Sequence, residues 1–113
     1  MLFRSQERGR IHLIPIGDVL FLKAELKYVT VRTAEREFLL EESLSKLEEE
    51  YAARFVRIHR NCLVATDAVG GVVRVADGEA EGEAHWALTL KGRPEQLPVS
   101  RRQWPQAKER LGL

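Results

Sequence analysis

The sequence lacks the features that mark secreted and membrane proteins. Its single cysteine, Cys62, excludes a disulfide within the chain and favours a reducing compartment, so we expect the cytoplasm. No apolar run approaches the roughly 20 residues that a membrane span needs. The first ten residues (MLFRSQERGR) have no apolar core of the kind that a signal peptide requires. We therefore expect no membrane partner.

Motifs for metal, nucleotide or catalytic chemistry are also missing. The histidines His12, His59 and His85 lie in separate segments without metal-ligand spacing, and Gly70-Gly71 lacks the lysine of a phosphate-binding loop. Cys62 follows His59 by three residues, a spacing that in a strand places the side chains on opposite faces. We expect a buried, inert cysteine, no metal, no cofactor and no enzyme. A Cys–His hydrolase is the weakest alternative.

The charges are segregated along the chain, although the formal net charge is only +1. Residues 35–50 carry seven glutamates against two basic residues, and residues 67–83 carry five acids against one arginine. Residues 54–64 carry three arginines and no acid, and residues 91–110 carry six basic residues against two acids. Such asymmetry favours one charged face, unless the blocks interleave in the fold and cancel.

Hydrophobic patterns predict one mostly β domain. Apolar or alternating stretches bounded by Gly, Pro and polar residues indicate short strands. They fall at residues 11–14, 18–24, 28–33, 37–40, 55–58, 63–65, 69–76, 84–91 and 96–99, with a bulge at Gly70-Gly71 and a polar loop at residues 77–83. Leu44, Leu47 and Tyr51 have helical spacing after a candidate N-cap, Ser43, which predicts a helix over residues 44–51.

A second short helix is predicted at the carboxyl end. Ser100-Arg-Arg-Gln103 has the form of a capping box, and Pro105 suits the first turn of a helix. We expect a single domain over residues 1–113, with a core at residues 10–111 and a flexible segment at residues 1–9.

Basic and polar side chains gather at three predicted turns. Lys23, Lys27 and Tyr28 flank the first turn, Arg57, His59, Arg60 and Asn61 occupy the second, and Arg101 and Arg102 lie at the third. Arginine can read guanine with two hydrogen bonds, asparagine can read adenine, and lysine neutralises phosphate. For any one of these residues a solvated charge or a surface ion pair is the simpler interpretation. Together they leave two interpretations open, nucleic-acid binding and a β-rich protein-interaction or ligand-sensing module whose basic loops bind an acidic partner.

The order of these motifs resembles the LytTR DNA-binding domain of response regulators, most closely its AlgR-like branch of alginate regulators. Three stretches carry the resemblance and span nearly the whole chain. They are IHLIPIGDVLFLKAELKYVTVRT (residues 11–33), LEESLSKLEEEYAARFVRIHRNCLVA (residues 40–65) and LPVSRRQWPQAKERL (residues 97–111). The chain departs from the family pattern at Ala65 and Trp104, so we leave both residues out of the expected site.

The resemblance implies an elongated all-β array of small antiparallel sheets with one or two short helices, whose loops enter successive major grooves of promoter DNA. Tyr28 with Lys27 stands at the first base-reading loop, Arg60 beside Asn61 at the second, and Arg101 at the third. Family members usually follow a phosphorylated receiver domain and bind paired sites as dimers. No receiver is expected within these 113 residues, which are either a fragment of a longer regulator or a stand-alone domain. Arg57 or His59 is expected to be structural, anchoring the second loop to an acid such as Asp67.

Overall fold

The computed structural model describes residues 2–75 and 85–113, and strands dominate these residues. The strands are β1 (Leu2–Glu7), β2 (Arg10–Pro15), β3 (Val19–Ala24), β4 (Val29–Thr33), β5 (Glu37–Leu40), β6 (Phe55–His59), β7 (Cys62–Ala65), β8 (Val69–Val75), β9 (His85–Leu90) and β10 (Gln96–Val99). The α-helices are α1 (Leu44–Glu50) and α2 (Trp104–Arg110), and 3-10 turns at Ile16–Asp18 and Thr66–Ala68 precede β3 and β8. The loop predicted at residues 77–83 lies outside the described residues.

The described strands form three antiparallel sheets. β1 pairs with β2, the central sheet has the order β5-β4-β3-β7-β6, and the third sheet has the order β10-β9-β8. The register of β8 against β9 shifts between Val69 and Gly71, which confirms the irregularity predicted at Gly70-Gly71. The molecule measures 49 × 28 × 27 Å along its principal axes. The predicted fold class, an elongated and mostly β array with two short helices, is confirmed.

Local signals place helix α1 correctly. The Ser43 Oγ accepts a hydrogen bond from the Lys46 backbone N–H at 3.1 Å, so Ser43 is the N-cap that its position predicted. Leu44 and Leu47 are buried, and the helix ends at Glu50, one residue before the predicted end. Within the described residues no helix is long and apolar enough to span a membrane.

The central sheet is covered on both faces. All four residues of β7 are buried, and successive side chains of a strand point to opposite faces. Leu22 of β3 and Phe55 and Ile58 of β6 are also fully buried. The continuous apolar run of β7 is therefore explained by its position in the middle of the sheet, where neither face meets water, whereas β3 is buried at Val19 and Leu22 and leaves Lys23 exposed.

Residues Leu2–Glu7, part of the segment expected to be flexible, form strand β1 and pair with β2. Phe3 in β1 is 4% exposed and packs edge-on against Tyr51, with ring centroids 5.2 Å apart, and against Phe55 at 6.5 Å. Ser5 is also buried, and its hydroxyl donates to the Leu39 carbonyl at 2.7 Å. A single buried aromatic residue thus fixes this hairpin to the core, an effect that the short apolar run around Phe3 did not reveal.

Ionic and aromatic contacts join the third sheet to the rest of the molecule. Glu95 lies 2.7 Å from Arg93 and 3.6 Å from Arg32 of β4, so one carboxylate connects the β9–β10 turn with the central sheet. Trp86 of β9 stacks on Trp104 of α2, with centroids 5.0 Å apart and ring planes 14° from parallel. These contacts limit how far the sheets can move relative to one another.

Arg54 stabilises the chain around the 3-10 turn before β3. Its guanidinium donates to the carbonyls of Ile16 at 3.0 Å and Gly17 at 2.9 Å, and it pairs with Asp67 at 2.9 Å. The side chain is only 23% exposed. Because the carbonyls before β3 lack other described side-chain donors, Arg54 fixes the start of the strand at the centre of the sheet.

Replacing Arg54 by alanine is expected to destabilise the fold. Three hydrogen bonds to the carbonyls of Ile16, Gly17 and Val19 and one ion pair are lost. We therefore expect the free energy of unfolding to fall by about 2 kcal/mol and the Tm by several degrees. Arg10→Ala is the matched control, because its side chain is exposed and such a change should stay within about 0.5 kcal/mol. Equal melting temperatures for the two variants would contradict this role of Arg54.

Candidate nucleic-acid interface

The three turns that the sequence singled out lie next to one another in the structure. The Ala24 N–H, at the end of β3, donates to the Asn61 carbonyl at 2.8 Å. The Ser100 N–H, at the end of β10, donates to the Ile58 carbonyl at 2.9 Å. The β6–β7 turn therefore lies between the β3–β4 turn and the β10–α2 turn, and backbone hydrogen bonds connect it to both.

The β3–β4 turn presents two lysines, an aromatic ring and one exposed acid, Glu25. It is closed by a hydrogen bond from the Glu25 N–H to the Tyr28 carbonyl at 2.7 Å. Lys23 and Lys27 are exposed, as is the Tyr28 side chain, which is 40% accessible. Leu26, at the tip of the turn, is fully exposed. The sequence did not single out Leu26, since its apolar side chain gave no signal for DNA binding.

The β6–β7 turn contains two residues, Arg60 and Asn61. His59 and Cys62 are paired across the turn, so Arg60 is left at the tip and is exposed, while Asn61 is half-buried. The Arg60 side chain forms no ion pair or hydrogen bond with any residue in the described ranges. Arg60 is therefore not bound to Asp67, whose carboxylate pairs with Arg54.

Arg57 supports this turn from inside the molecule. Its guanidinium contacts the Glu48 carboxylate at 2.9 Å and the Ser45 hydroxyl at 3.3 Å, and it donates to the Arg60 carbonyl. The side chain is 13% exposed. The expected acidic anchor of the turn exists, but it is Glu48 of α1, and the suggestion of Asp67 was wrong.

His59 lies half-buried beside the same turn. Its Nδ1 is enclosed and has no hydrogen-bond partner among the residues at positions 2–75 and 85–113. The prediction that His59 and Cys62 point to opposite faces was wrong, because a two-residue turn folds the strand back and makes them cross-strand neighbours. Residues directly opposite in an antiparallel pair share a face.

The β10–α2 turn exposes two arginines. The guanidinium groups of Arg101 and Arg102 are in solvent. The Ser100 Oγ accepts from the Gln103 N–H at 3.3 Å, which is half of the predicted capping box. The other half is absent, because the Ser100 N–H donates to Ile58 and Gln103 makes no side-chain cap. Helix α2 begins at Trp104, with Pro105 in its first turn as predicted.

The exposed cations of the three turns form one surface, which we call the three-turn surface. Its cationic members are Lys23, Lys27, Arg60, Arg101 and Arg102. None of these five side chains is ion-paired within the part of the chain that the structure describes. By contrast, Arg32, Arg36, Arg54, Arg57 and Arg93 all have carboxylate partners. Cations left without protein partners on one surface are what binding to a polyanion requires.

Cys62 is chemically quiet. It is 6% exposed, and burial raises the pKa of its thiol from 9.0 to about 12, while the nearby cations Lys23 and Arg57 lower the pKa by less. A thiol with this pKa is almost fully protonated at neutral pH and is a poor nucleophile. The burial and the raised pKa of the Cys62 thiol therefore disfavour a Cys–His hydrolase, even though His59 faces Cys62 across the turn.

The fold and the exposed cations at its turns are typical of a nucleic-acid-binding domain, and comparison with known proteins gives the family. The sequence model of the LytTr DNA-binding domain matches residues 9–112, so the chain belongs to this family of DNA-binding domains. It is 46% identical over 99 residues, 87% of its length, to the positive alginate biosynthesis regulatory protein of Pseudomonas aeruginosa. A response regulatory protein of Yersinia pestis is 35% identical over 105 residues, 93% of the chain.

The same fold occurs in a solved structure of low sequence identity. The LytTr DNA-binding domain of a methyl-accepting/DNA response regulator from Bacillus cereus superposes with a TM-score of 0.81 at 19% identity, covering 99% of this chain and 97% of the other. The two curated relatives are longer, and the matched region spans 38% and 40% of their length.

The raised pKa of Cys62 predicts a pH-dependent contribution to stability. The unfolded thiol ionises near pH 9 and the folded thiol near pH 12, so folding favours the protonated form and stability is lost as the pH rises between these values. Between pH 8 and pH 10.5, wild-type protein should lose about 2 kcal/mol more unfolding free energy than Cys62→Ala. Urea denaturation of both proteins at both pH values measures this difference, and equal losses would contradict it.

Proposed function

We propose that this chain binds double-stranded promoter DNA in a sequence-dependent manner through the three-turn surface. The observation that carries the proposal is the side-by-side arrangement of three turns whose five exposed cations have no carboxylate partners among the described residues. Membership of the LytTr DNA-binding domain family supports DNA as the ligand. The assignment of individual residues of this surface to DNA contacts is our inference from its geometry.

In this proposal the turns contact the DNA, and neither helix does. Helix α1 carries Glu48, Glu49 and Glu50, which phosphates would repel, and the first residue of α2, Trp104, is stacked on Trp86. In this proposal, side chains of different turns enter successive major grooves on one side of the duplex.

The residue types indicate which side chains contact DNA bases and which contact the phosphate backbone. Arg60 and Arg101, at separate turns, are placed to read guanine, because a guanidinium can donate two hydrogen bonds to O6 and N7. Asn61 beside Arg60 suits adenine, and Tyr28 lies at the first turn where base edges would pass. Lys23, Lys27 and Arg102 suit phosphates, and contacts to phosphates fix the position of the protein without reading sequence.

We further propose that the chain is the effector part of a two-component response regulator that acts in the cytoplasm. The regulatory relatives extend well beyond the region they share with this chain, which leaves room for a receiver domain. A dimer bound to paired half-sites would double the contact area of a domain this small and raise both affinity and specificity. Phosphorylation of the receiver would then control operator binding through dimerisation.

Selection from a randomised pool of 30-base-pair duplexes tests the function directly. The chain should enrich a defined sequence, the selected duplex, and should bind it more tightly than a scrambled duplex of the same composition. Affinity for both should fall steeply with salt, since phosphate contacts release counterions. Failure to enrich any sequence, together with equal binding to polyglutamate, would favour the acidic-protein-partner alternative and contradict the proposal.

Lys27→Ala tests the assignment of Lys27 to phosphate. Loss of one phosphate contact should weaken binding to the selected and scrambled duplexes by the same factor, and the slope of log K against log salt should become shallower by about 0.9. Fluorescence anisotropy titrations at four salt concentrations measure both quantities. A loss confined to the selected duplex would mean that Lys27 reads a base.

Arg60→Ala and Arg101→Ala test the two base-reading assignments. Each change should cost about 1–3 kcal/mol in binding the selected duplex, because a bidentate arginine–guanine contact is removed. The double variant should lose about the sum, since the two turns contact different bases. Because both side chains are exposed and unpaired among the described residues, the melting temperatures should stay close to wild type.

Arg10→Ala is the matched control for these binding measurements. Arg10 is an exposed arginine opposite Glu7, and the Glu7 carboxylate binds Arg36 in the β4–β5 turn, at the end of β4 away from the first turn. Its removal should leave both duplex affinities nearly unchanged. A fall in melting temperature for Arg60→Ala with unchanged affinity would show that Arg60 is structural and would remove the centre of the proposed site.

A further inference from the structure

The β6–β7 turn is attached to helix α1 through a continuous chain of polar contacts. Glu48 Oε1 accepts hydrogen bonds from Arg57 Nη2 at 2.9 Å and Arg57 Nε at 3.3 Å. The Nη1 of the same guanidinium donates to the Arg60 backbone carbonyl. One planar group thus binds the helix on one side and the turn on the other. A lysine ammonium, a single point donor, could not reproduce this fork.

The carbonyl that Arg57 holds belongs to the residue at the tip of the turn. Its position fixes the peptide plane between Arg60 and Asn61, and therefore the directions in which both side chains leave the backbone. The next carbonyl, that of Asn61, is held by the Ala24 N–H at 2.8 Å. Both peptide oxygens of a solvent-exposed two-residue turn are therefore bonded to the rest of the fold.

We infer that Glu48 is a positioning residue for sequence recognition and that it acts through Arg57 on the Arg60–Asn61 turn. The inference rests on the proposed role of Arg60 in reading a base. Without the Glu48 carboxylate, the Arg57 guanidinium keeps only the Ser45 hydroxyl, at 3.3 Å, as a partner on α1. It can then rotate toward solvent or toward DNA phosphates, which weakens its hydrogen bond to the Arg60 carbonyl. The turn then samples several orientations, and a bidentate contact to guanine, which requires one orientation, is formed less often.

If Glu48 acted only through its negative charge, removing it would strengthen DNA binding, the opposite of the result that positioning predicts. This difference in sign makes the inference testable. Removing a carboxylate close to a DNA-binding surface reduces repulsion of phosphates and should strengthen binding to any duplex. Positioning predicts that loss of Glu48 weakens binding to the selected duplex. The sign of the effect on this duplex therefore separates a positioning acid from an acid that merely adds negative charge.

Helix α1 offers a matched control at the next residue. Glu49 is exposed and forms no ion pair with a residue inside the described segments, whereas Glu50 approaches Lys46 at 3.8 Å. Glu48→Ala and Glu49→Ala remove the same charge from the same helix and make the same change in helix propensity. They differ in whether the bond to Arg57 is lost.

The experiment measures affinities of Glu48→Ala and Glu49→Ala for the selected and scrambled duplexes, at a temperature well below both melting points. We expect Glu48→Ala to bind the selected duplex about five- to tenfold more weakly, a part of the discrimination of one arginine–guanine contact. Its affinity for the scrambled duplex should be unchanged or slightly higher. Glu49→Ala should bind both duplexes as well as wild type or slightly better. If the two variants behave alike, the inference is wrong.

Combination with the arginine variants identifies the turn through which Glu48 acts. On an Arg60→Ala background, Glu48→Ala should cause a clearly smaller further loss, because the Arg60 contact is already gone and only that of Asn61 remains to be positioned. On an Arg101→Ala background, Glu48→Ala should cause the same loss of affinity as in the wild-type protein. Equal losses on the two backgrounds would overturn the inference and indicate a general effect on the fold.

The same series distinguishes failure of this inference from failure of the proposed function. If Arg60→Ala weakens binding to the selected duplex and Glu48→Ala does not, the base-reading role stands and the positioning role is refuted. If Arg60→Ala has no effect on that affinity, both are refuted. Should Glu48→Ala prove too unstable to measure, Arg57→Lys, which retains the charge but lacks the forked donor, is expected to show the same selective loss.

Discussion

The pairing of β3 with β7 is the interaction on which the rest of the structure depends. It joins two hairpins, β3–β4 and β6–β7, into one sheet through the pairs Phe21–Val64, Leu22–Leu63 and Lys23–Cys62. The ladder is extended by the hydrogen bond from the Ala24 N–H to the Asn61 carbonyl. Since both hairpins end at this point, the register of one strand pair brings two basic turns together. A shift of one residue would turn the apolar side chains of β7 to the other face and separate the turns.

Arginines in this fold fall into two groups, and burial separates them. Arg54 and Arg57 are 23% and 13% exposed, and both are bound to carboxylates and to backbone carbonyls. Arg60 and Arg101 are exposed and have no side-chain partner among the described residues. Partly buried charges need partners, whereas exposed ones can stay in water until a phosphate or a base replaces it. This difference assigns structural and binding roles to residues that look alike in the sequence.

Acidic residues help to form the three-turn surface in two ways. Some are bound by arginines away from it, and others support its turns. Glu95 is engaged by Arg32 and Arg93, Glu7 by Arg36, and Glu48 by Arg57. The segregated charge blocks of the sequence therefore interleave in part, as one of the two initial interpretations allowed. The cancellation is incomplete at the three-turn surface, where five cations remain exposed. A nearly neutral protein can in this way present a locally basic surface to DNA.

The sequence by itself determined strands β2 to β10, the helix behind Ser43, the bulge at Gly70-Gly71 and the three basic turns, because alternation, capping and turn composition act over a few residues. Only the tertiary structure decided which arginine faces solvent. Arg57 and Arg60 lie three residues apart in the same basic stretch, yet Glu48 on a separate helix binds one and leaves the other exposed. The ordering of residues 2–7 likewise depends on Phe3 meeting Tyr51 and Phe55. The partner of a long side chain is set by elements distant in sequence, and local sequence patterns carry no information about such a contact.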